Sequence, residues 1–340
     1  FNAMTKPFII AEMSGNHNQS LERALRIVDA AAESGVDAIK LQTYTADTMT
    51  LDLDEGDFFI SNPQSPWYGS SLYALYQKAH TPWAWQEKIF ARAREHGLVC
   101  FSTPFDATSV DFLEKLGAPC YKIASFENTD LPLIRKVAQT GKPLIVSTGM
   151  ATVAELDELV RTARENGCRD ITLLKCTSSY PATPAGSNIL TIPHMKELFG
   201  CAVGLSDHTL GIGSAVASVA LGATVIEKHF TLSRADGGVD AAFSLEPNEM
   251  AQLVRECRAA ALAMGEVRYE MAEQEKKSLQ FRRSLYIAED MRAGDVLTEK
   301  NLRRIRPGHG LSPKHYDALL GRQVKCDVKR GTPVSWALVE

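Results

Sequence analysis

Short apolar runs alternate with longer amphipathic stretches through the first 265 residues of the chain. Eight of these runs have the length of a buried strand, and helical periodicity follows most of them. A strand followed by a helix, repeated eight times, predicts a closed (β/α)8 barrel rather than an open sheet. The predicted strands are 8–13, 38–43, 99–104, 120–125, 143–148, 171–177, 202–207 and 225–230.

Helical patterns are predicted at 20–34, 107–116, 131–139, 153–166, 213–221 and 247–264. Segment 54–80 is rich in proline and aromatic residues and predicts an insertion after the second strand, where active-site lids are often found. The periodic pattern ends near Gly265. We therefore predict a barrel domain at 4–265, a polar linker at 266–281 and a small β-rich domain at 282–340, where short strands are broken by glycine turns.

The formal net charge is −4 and no dense run of lysine and arginine is present. This balance argues against nucleic acid or an anionic membrane as the main partner, so an anionic ligand would need local positive charge. The seven cysteines are scattered without a C-x-x-C pair, which predicts reduced thiols in a cytoplasmic protein. No apolar run approaches ~20 residues and no signal peptide is recognised, and Phe1–Ala3 before Met4 is interpreted as a remnant of expression.

Polar residues occupy the end of nearly every predicted strand. In a barrel these ends meet at one mouth, and that mouth carries the active site in essentially every barrel enzyme. A coordinated set of polar ends therefore predicts a functional site, although any single serine or threonine could simply begin a turn. The set is Glu12, Gln42, Thr103, Ser125, Ser147, Thr177, Ser206 with Asp207, and His229.

Two histidines, His208 and His229, end the adjacent seventh and eighth strands. Neighbouring strands lie about 4.8 Å apart, so two imidazoles can converge on one ion. Two protein ligands leave several coordination positions for water and substrate, which suits a Lewis-acid Mn²⁺ or Mg²⁺ better than structural zinc. The pair therefore predicts a divalent metal site.

Two lysines, Lys40 and Lys122, lie within strands that should otherwise be apolar. An unpaired buried ammonium is costly, so either a bound anion or an internal carboxylate, such as Glu12 or Glu227, must compensate each one. With the serine and threonine hydroxyls at the same mouth, the two lysines could hold a small phosphorylated acid.

Seven ordered motifs resemble those of the sialic acid synthase family. They are AEMSGNHN from Ala11, KLQT from Lys40, FSTPF from Phe101, YKIAS from Tyr121, STGM from Ser147, GLSDHT from Gly204 and EKHF from Glu227. The chain from Ser284 onward, with RPGHG from Arg306, resembles that family's antifreeze-like (SAF) domain. The first motif and the segment after Ser125 look most like the pseudaminic acid synthases of the family.

The resemblance implies transfer of the enolpyruvyl carbons of phosphoenolpyruvate onto open-chain 2,4-diacetamido-2,4,6-trideoxy-altrose, with C–O cleavage and release of phosphate. It also implies a domain-swapped homodimer in which Arg306 reaches the barrel of the partner subunit. Glu12 or Asp240 would be the general base, beside Lys40 and Lys122. The implied phosphoenolpyruvate contacts are Lys40, Thr103, Lys122, Ser125, Ser147 and Ser206; the sugar contacts are Glu12, Gln42, Tyr180, Asp240 and Arg306; the metal ligands are His208 and His229.

Other functions remain open from the sequence alone. The same reaction could use the precursor of N-acetylneuraminate or of legionaminate. A metal-dependent aldolase would use pyruvate itself instead of phosphoenolpyruvate. A carbohydrate-binding protein without catalysis is a third class, which the complete set of polar strand ends disfavours.

Overall fold

The computed structural model describes residues 6–340, so the predicted expression remnant Phe1–Ala3 lies outside the described residues. The chain divides into two compact units, one ending at Gly265 and the other running from Glu266 to Glu340. Each unit has a hydrophobic core of its own.

The first unit is a closed barrel of eight parallel strands in sequence order, with the eighth strand paired to the first. The predicted fold class is confirmed. Strand bounds agree with the sequence pattern to within two residues at each end. The strands are β1 Phe8–Glu12, β2 Ala38–Thr43, β3 Val99–Pro104, β4 Tyr121–Ile123, β5 Leu144–Ser147, β6 Ile171–Cys176, β7 Ala202–Asp207 and β8 Val225–His229.

Helices cover the outside of the barrel, and most begin at a side chain that caps the first turn. Ser20 accepts a hydrogen bond from the backbone N–H of Arg23, and Thr152 forms a capping box with Glu155. The helices are α1 Leu21–Ser34, α2 Ala46–Met49, α3 Leu72–Ala79, α4 Trp83–Glu95, α5 Ala107–Lys115, α6 Leu131–Ala138, α7 Val153–Glu165, α8 Thr191–Phe199, α9 Gly213–Ala220 and α10 Pro247–Met264.

Two apolar layers hold the barrel. One cluster fills the interior near the strand beginnings and includes Phe8, Ile10 and Phe101. The larger cluster lies between the strands and the helices. Because apolar side chains close the base of the barrel, the polar strand ends are confined to the opposite mouth.

The predicted insertion 54–80 contains a short 3₁₀ turn at Gly56–Phe58 and helix α3. Its end is fastened to the loop after β1, where Gln19 Nε2 donates to the carbonyls of Lys78 and His80 at 2.8 and 2.7 Å. The buried His17 Nε2 also lies 3.0 Å from Thr81 Oγ1. The insertion is therefore held beside the mouth of the barrel.

The second unit contains an antiparallel pair, β9 Ser284–Ile287 and β10 Leu302–Ile305, and a short helix, α11 Tyr316–Leu319. Isolated bridges such as Met291 with Val328 join other extended segments around a small aliphatic core. The segment predicted as a linker belongs to this unit by its contacts and carries a 3₁₀ run, Glu273–Phe281. None of the helices between residues 6 and 340 is long and apolar enough to cross a membrane.

Gly204 tests the packing of the barrel wall. A Cβ at this position in β7 would overlap the carbonyl oxygen of Val225 and lie 2.7 Å from Leu174 Cδ2. We expect Gly204→Ala to destabilise the barrel by about 1–3 kcal/mol, because the carbonyl of Val225 belongs to the backbone and cannot move aside as a side chain can. Gly213→Ala is the matched control, since a Cβ there meets nothing within 4 Å. Equal thermal midpoints for the two variants would contradict this packing.

Candidate active site

Most of the polar strand ends converge on one cavity of about 450 Å³ at the mouth of the barrel, whereas Thr103, Thr177 and Asp207 do not line it. Eleven of the thirteen residues to which the sequence assigned a ligand, metal or catalytic role line the cavity, although they come from distant parts of the chain. The lining residues among the predicted set are Glu12, Lys40, Gln42, Lys122, Ser125, Ser147, Tyr180, Ser206, His208, His229 and Asp240.

Two predicted residues are placed differently. Thr103 does not line the cavity, and its hydroxyl accepts a hydrogen bond from Lys40 Nζ at 3.2 Å. Arg306 follows β10 in the second unit, where its side chain is exposed. In this structure Thr103 contacts Lys40, and its predicted contact with phosphoenolpyruvate stays a prediction.

Four buried charges form the floor of the cavity. Lys40 Nζ lies 2.7 Å from Glu12 Oε2 and 3.6 Å from Glu227 Oε2, and Lys122 Nζ lies 3.2 Å from Glu227 Oε1. All four side chains are at most 5% exposed. The hydroxyl of Ser206 donates to Glu227 Oε1 at 2.9 Å. The sequence left two explanations for the buried lysines, a bound anion or an internal carboxylate. In this structure each lysine is paired with a carboxylate.

The four charges do not compensate one another equally. Burial raises the pKa of the Glu12 carboxyl, and Lys40 offsets this only in part. Burial also opposes ionisation of Glu227, but Lys122 and Lys40 outweigh it and hold its pKa well below the usual range. Burial lowers the pKa of Lys122, and the attraction of Glu227 does not fully restore it. An additional anion beside Lys122 would stabilise its charged form.

The two histidines face each other across the cavity, with ring centroids 5.3 Å apart. His208 Nδ1 lies 3.0 Å from the carbonyl oxygen of Thr177, a contact in which the ring nitrogen donates and Nε2 keeps its lone pair. His229 Nδ1 is buried without a hydrogen-bond partner in the described structure. Burial, followed by the neighbouring His208, lowers the pKa of His229 well below its usual value, so this ring is neutral.

Burial opposes the charged form of His208, but its contacts with Cys176 and Thr177 outweigh burial and raise its pKa. A divalent metal at this pair would be held by the neutral form of both imidazoles. Within residues 6–340 there is no cluster of three or more His, Cys, Asp or Glu side chains arranged to hold a metal ion. An ion at this mouth would therefore have two protein ligands, His208 and His229, and its remaining positions would be open to water and substrate.

Asp240 lies next to the histidine pair, in the loop after β8. Its Oδ2 accepts a hydrogen bond from the Ser14 hydroxyl and is 3.7 Å from His229 Nδ1. Burial raises the pKa of the Asp240 carboxyl, with Ser14 and His208 opposing. The ring of Tyr180 packs on His208 with centroids 4.4 Å apart. Two predicted sugar contacts thus border the histidine pair.

An apolar wall, which the sequence does not reveal residue by residue, closes one side of the cavity. The insertion contributes Trp67, Leu75, Tyr76 and Ala79 to this wall. Further apolar and aromatic lining comes from Tyr44, Met49, Phe105, Phe126, Val239 and Phe243. The insertion predicted as a lid is therefore part of the cavity wall.

Cys176 and Glu127 also line the cavity and were not predicted. Burial opposes the Cys176 thiolate, but His208 outweighs it and lowers its pKa to about 7. Burial and the charge of Asp130 raise the pKa of Glu127 to about 7, and one Glu127 oxygen is buried without a hydrogen-bond partner. A signal for Cys176 was available, because it ends strand β6 at the same mouth.

Comparison with known proteins assigns both units to families. The model of the NeuB family matches residues 27–269, and that of the SAF domain matches residues 282–340. A pseudaminic acid synthase from Campylobacter jejuni is 44% identical over 97% of this chain and 96% of the relative. A pseudaminic acid synthase from Helicobacter pylori is 43% identical over the same shares.

A solved structure shares the architecture. The N-acetylneuraminic acid synthetase of Leptospira borgpetersenii, in complex with citrate, superposes with a TM-score of 0.72 at 30% identity. The match covers 82% of this chain and 91% of that one. The predicted combination of a barrel with an SAF domain is confirmed by the fold and by both family matches.

The raised pKa of Glu127 predicts a pH-dependent stability. Between the usual value of 4.5 and about 7, the folded chain keeps a proton that the unfolded chain loses. Stability should therefore fall as pH rises through this window, by up to about 3 kcal/mol at 1.36 kcal/mol per pKa unit. We expect Glu127→Gln to be stabilised relative to the unsubstituted chain at pH 8 but not at pH 4.5.

Thermal unfolding midpoints of the two proteins across this range measure the effect. The exposed Glu158→Gln on α7 is the control and should follow the unsubstituted chain at every pH. Parallel curves for Glu127→Gln and the unsubstituted chain would refute a raised Glu127 pKa.

Proposed function

This chain belongs to the NeuB family, and from that premise we propose that it condenses phosphoenolpyruvate with 2,4-diacetamido-2,4,6-trideoxy-altrose. The products would be pseudaminic acid and phosphate. The observation that carries the proposal is the single cavity in which Lys40 and Lys122 lie beside the pair His208 and His229. A phosphorylated acid and an aldehyde could be bound there side by side, as a condensation requires.

Phosphoenolpyruvate would bind over the buried charges at the floor. Lys122 is incompletely compensated by Glu227, so the phosphate or carboxylate of the ligand would add the missing negative charge. Ser125 and Ser147 line the same part of the cavity and offer hydroxyl donors. The Ser147 hydroxyl has no hydrogen-bond partner in the described structure, which leaves it free for a ligand. Thr103 would act through Lys40.

The aldehyde of the sugar would lie at the histidine pair. A Mn²⁺ or Mg²⁺ ion bound by His208 and His229 would act as a Lewis acid on the aldehyde oxygen. Tyr180 and Gln42 would border the sugar chain, while Asp240 would remain oriented by Ser14. These residues position the carbonyl carbon for attack by the enol carbon of phosphoenolpyruvate.

Positive character then develops at C2 of the former enolpyruvyl group, and water must add there. Glu12 Oε2 is paired with Lys40, but Glu12 Oε1 has no hydrogen-bond partner in the described structure. Asp240 already uses Oδ2 for Ser14. Each carboxylate therefore keeps one oxygen that could take the proton of this water, a role typically worth about 10²–10⁴ in rate. We propose Glu12, because it lies beside Lys40 at the floor where phosphoenolpyruvate would bind.

The names of the relatives support the altrose derivative, and the apolar wall supports a diacetamido-trideoxy hexose over N-acetylmannosamine. A diacetamido-trideoxy hexose carries three methyl groups, at C6 and on both acetamido groups. Trp67, Leu75 and Ala79 could bury such methyl groups, whereas a hydroxyl in their place would lose its hydrogen bonds to water. The SAF domain and the likeness to sialic acid synthases also support the proposed homodimer with Arg306 contributed by the partner.

The metal role can be tested at the two histidines. We expect His208→Ala and His229→Ala each to lower phosphate release at least about a thousandfold, since Lewis-acid stabilisation is worth several kcal/mol. His194→Ala, an exposed histidine on α8, should retain full activity. Unchanged turnover of the unsubstituted enzyme in saturating EDTA would contradict the proposed metal.

A panel of acceptors tests the sugar. Phosphate release and product mass are measured with phosphoenolpyruvate and the altrose derivative, N-acetylmannosamine or the legionaminate precursor. We expect kcat/KM to be at least about tenfold higher for the altrose derivative than for either other sugar. Preference for another sugar would reassign the substrate, and turnover of pyruvate without phosphoenolpyruvate would indicate an aldolase.

A further inference from the structure

A buried ion pair lies directly behind the two histidines, on the outer face of the barrel wall. Side chains alternate between the two faces of a strand, so Asp207 and Lys228 point away from the cavity that their neighbours His208 and His229 line. Asp207 Oδ2 lies 2.9 Å from Lys228 Nζ, with side chains 2% and 0% exposed. The two residues are direct partners in the register of β7 and β8.

Both side chains of the ion pair also form hydrogen bonds with Thr209, the residue that follows His208. Lys228 Nζ donates to the Thr209 carbonyl at 2.7 Å. Asp207 Oδ1 accepts from the Thr209 N–H at 2.9 Å and from its hydroxyl at 2.7 Å. The segment 207–209 is therefore fastened to the strand that ends in His229, and His208 lies at its centre.

The remaining bonds of His208 complete this restraint. The Ala182 N–H donates to the His208 carbonyl at 3.0 Å, and the ring is bonded to the carbonyl of Thr177. On the other strand, the Leu245 N–H donates to the His229 carbonyl at 2.9 Å. On the outer face of the wall the ion pair links β7 and β8 through side chains, as the Ser206–Glu227 hydrogen bond does on the inner face.

Neither Asp207 nor Lys228 lines the cavity, so neither contacts a ligand there. Burial of an ion pair brings little net stability, and apolar residues of similar size often pack as well or better. Apolar side chains could not, however, bind the N–H, hydroxyl and carbonyl of Thr209. The distinctive effect of the pair is therefore on the geometry of the chain at His208.

We propose that Asp207 and Lys228 are positioning residues for the two-histidine site, which they preorganise by fixing His208 relative to His229. The inference rests on the proposed metal site. Groups that orient metal ligands without touching the metal commonly change its affinity about 10- to 100-fold when replaced. Loss of the pair should therefore weaken metal binding without removing a ligand.

The test is Mn²⁺ affinity, measured on the full chain without substrates by the EPR signal of free Mn²⁺. In Asp207→Leu/Lys228→Met both charges are replaced by apolar side chains of similar size, so no unpaired charge stays buried. We expect its Kd for Mn²⁺ to rise about 10- to 100-fold with an unchanged circular dichroism spectrum. Asp207→Asn, nearly identical in shape, is measured as well and serves alone if the double variant does not fold.

Cys257→Ala is the matched control for general destabilisation. Cys257 is fully buried on α10, close enough to Asp207 and Lys228 to be influenced by their charges. Its truncation should lower the thermal midpoint and leave the Kd for Mn²⁺ within twofold of the unsubstituted chain. A merely structural role for the ion pair would instead make affinity follow thermal stability in all variants, and that result would overturn the inference.

A folded pair variant that binds Mn²⁺ within twofold of the unsubstituted chain would also overturn it, as would absence of Mn²⁺ binding by the unsubstituted chain. Phosphate release by the unsubstituted enzyme is measured in parallel. If the unsubstituted enzyme turns over and the pair variant has an unchanged Kd for Mn²⁺, only the positioning role is rejected. If the Kd of the pair variant is shifted but the unsubstituted enzyme turns over no sugar, the positioning role is supported and the proposed reaction is rejected.

Discussion

The mutual compensation of Glu12, Lys40, Lys122 and Glu227 is the interaction on which the rest of the site depends. Each of these charges would be costly to bury alone, and only their proximity allows a charged floor beneath the cavity. The compensation is uneven, because Glu227 serves both lysines while the pKa of Glu12 is raised. This imbalance leaves Lys122 short of negative charge and makes the floor suited to an anionic ligand.

The barrel brings these groups together through strand alternation. In β8, Glu227 and His229 face the interior, while Lys228 between them faces the helices and pairs with Asp207. One short strand thus supplies a counter-ion for the lysines, a proposed metal ligand and an outer restraint on the neighbouring strand. The same alternation places Ser206 of β7 inside, Asp207 at the end of β7 outside, and His208, which directly follows β7, inside. The side chains that line the cavity and the ion pair behind them therefore lie on opposite faces of the barrel wall.

Much of this arrangement could be predicted from the sequence. Apolar runs located all eight strands because a parallel barrel buries both faces of each strand, and the polar ends located the mouth. Pairwise details could not be predicted. The alternatives for Lys40 differed only in which carboxylate or anion came close, and the hydrogen bond from Lys40 to Thr103 was not foreseen.

Contacts between distant segments also escaped prediction. Ser14 binds Asp240 across 226 positions of the chain, and no local pattern indicates that contact. The raised pKa of Glu127 arises from burial, which sequence alone does not quantify. By contrast, Glu227 lies two positions before His229 in one strand, and the alternation of strand side chains was sufficient to place both on the same face.

The central claim is that this cavity joins an enolpyruvyl group to an aldehyde with cleavage of the C–O bond of phosphoenolpyruvate. The most direct measurement uses phosphoenolpyruvate labelled with ¹⁸O in the bridge between carbon and phosphorus. The account predicts that the released phosphate carries the label and that the new sugar acid gains its C2 oxygen from water. Release of unlabelled phosphate, with the label retained at C2 of the product, would contradict it.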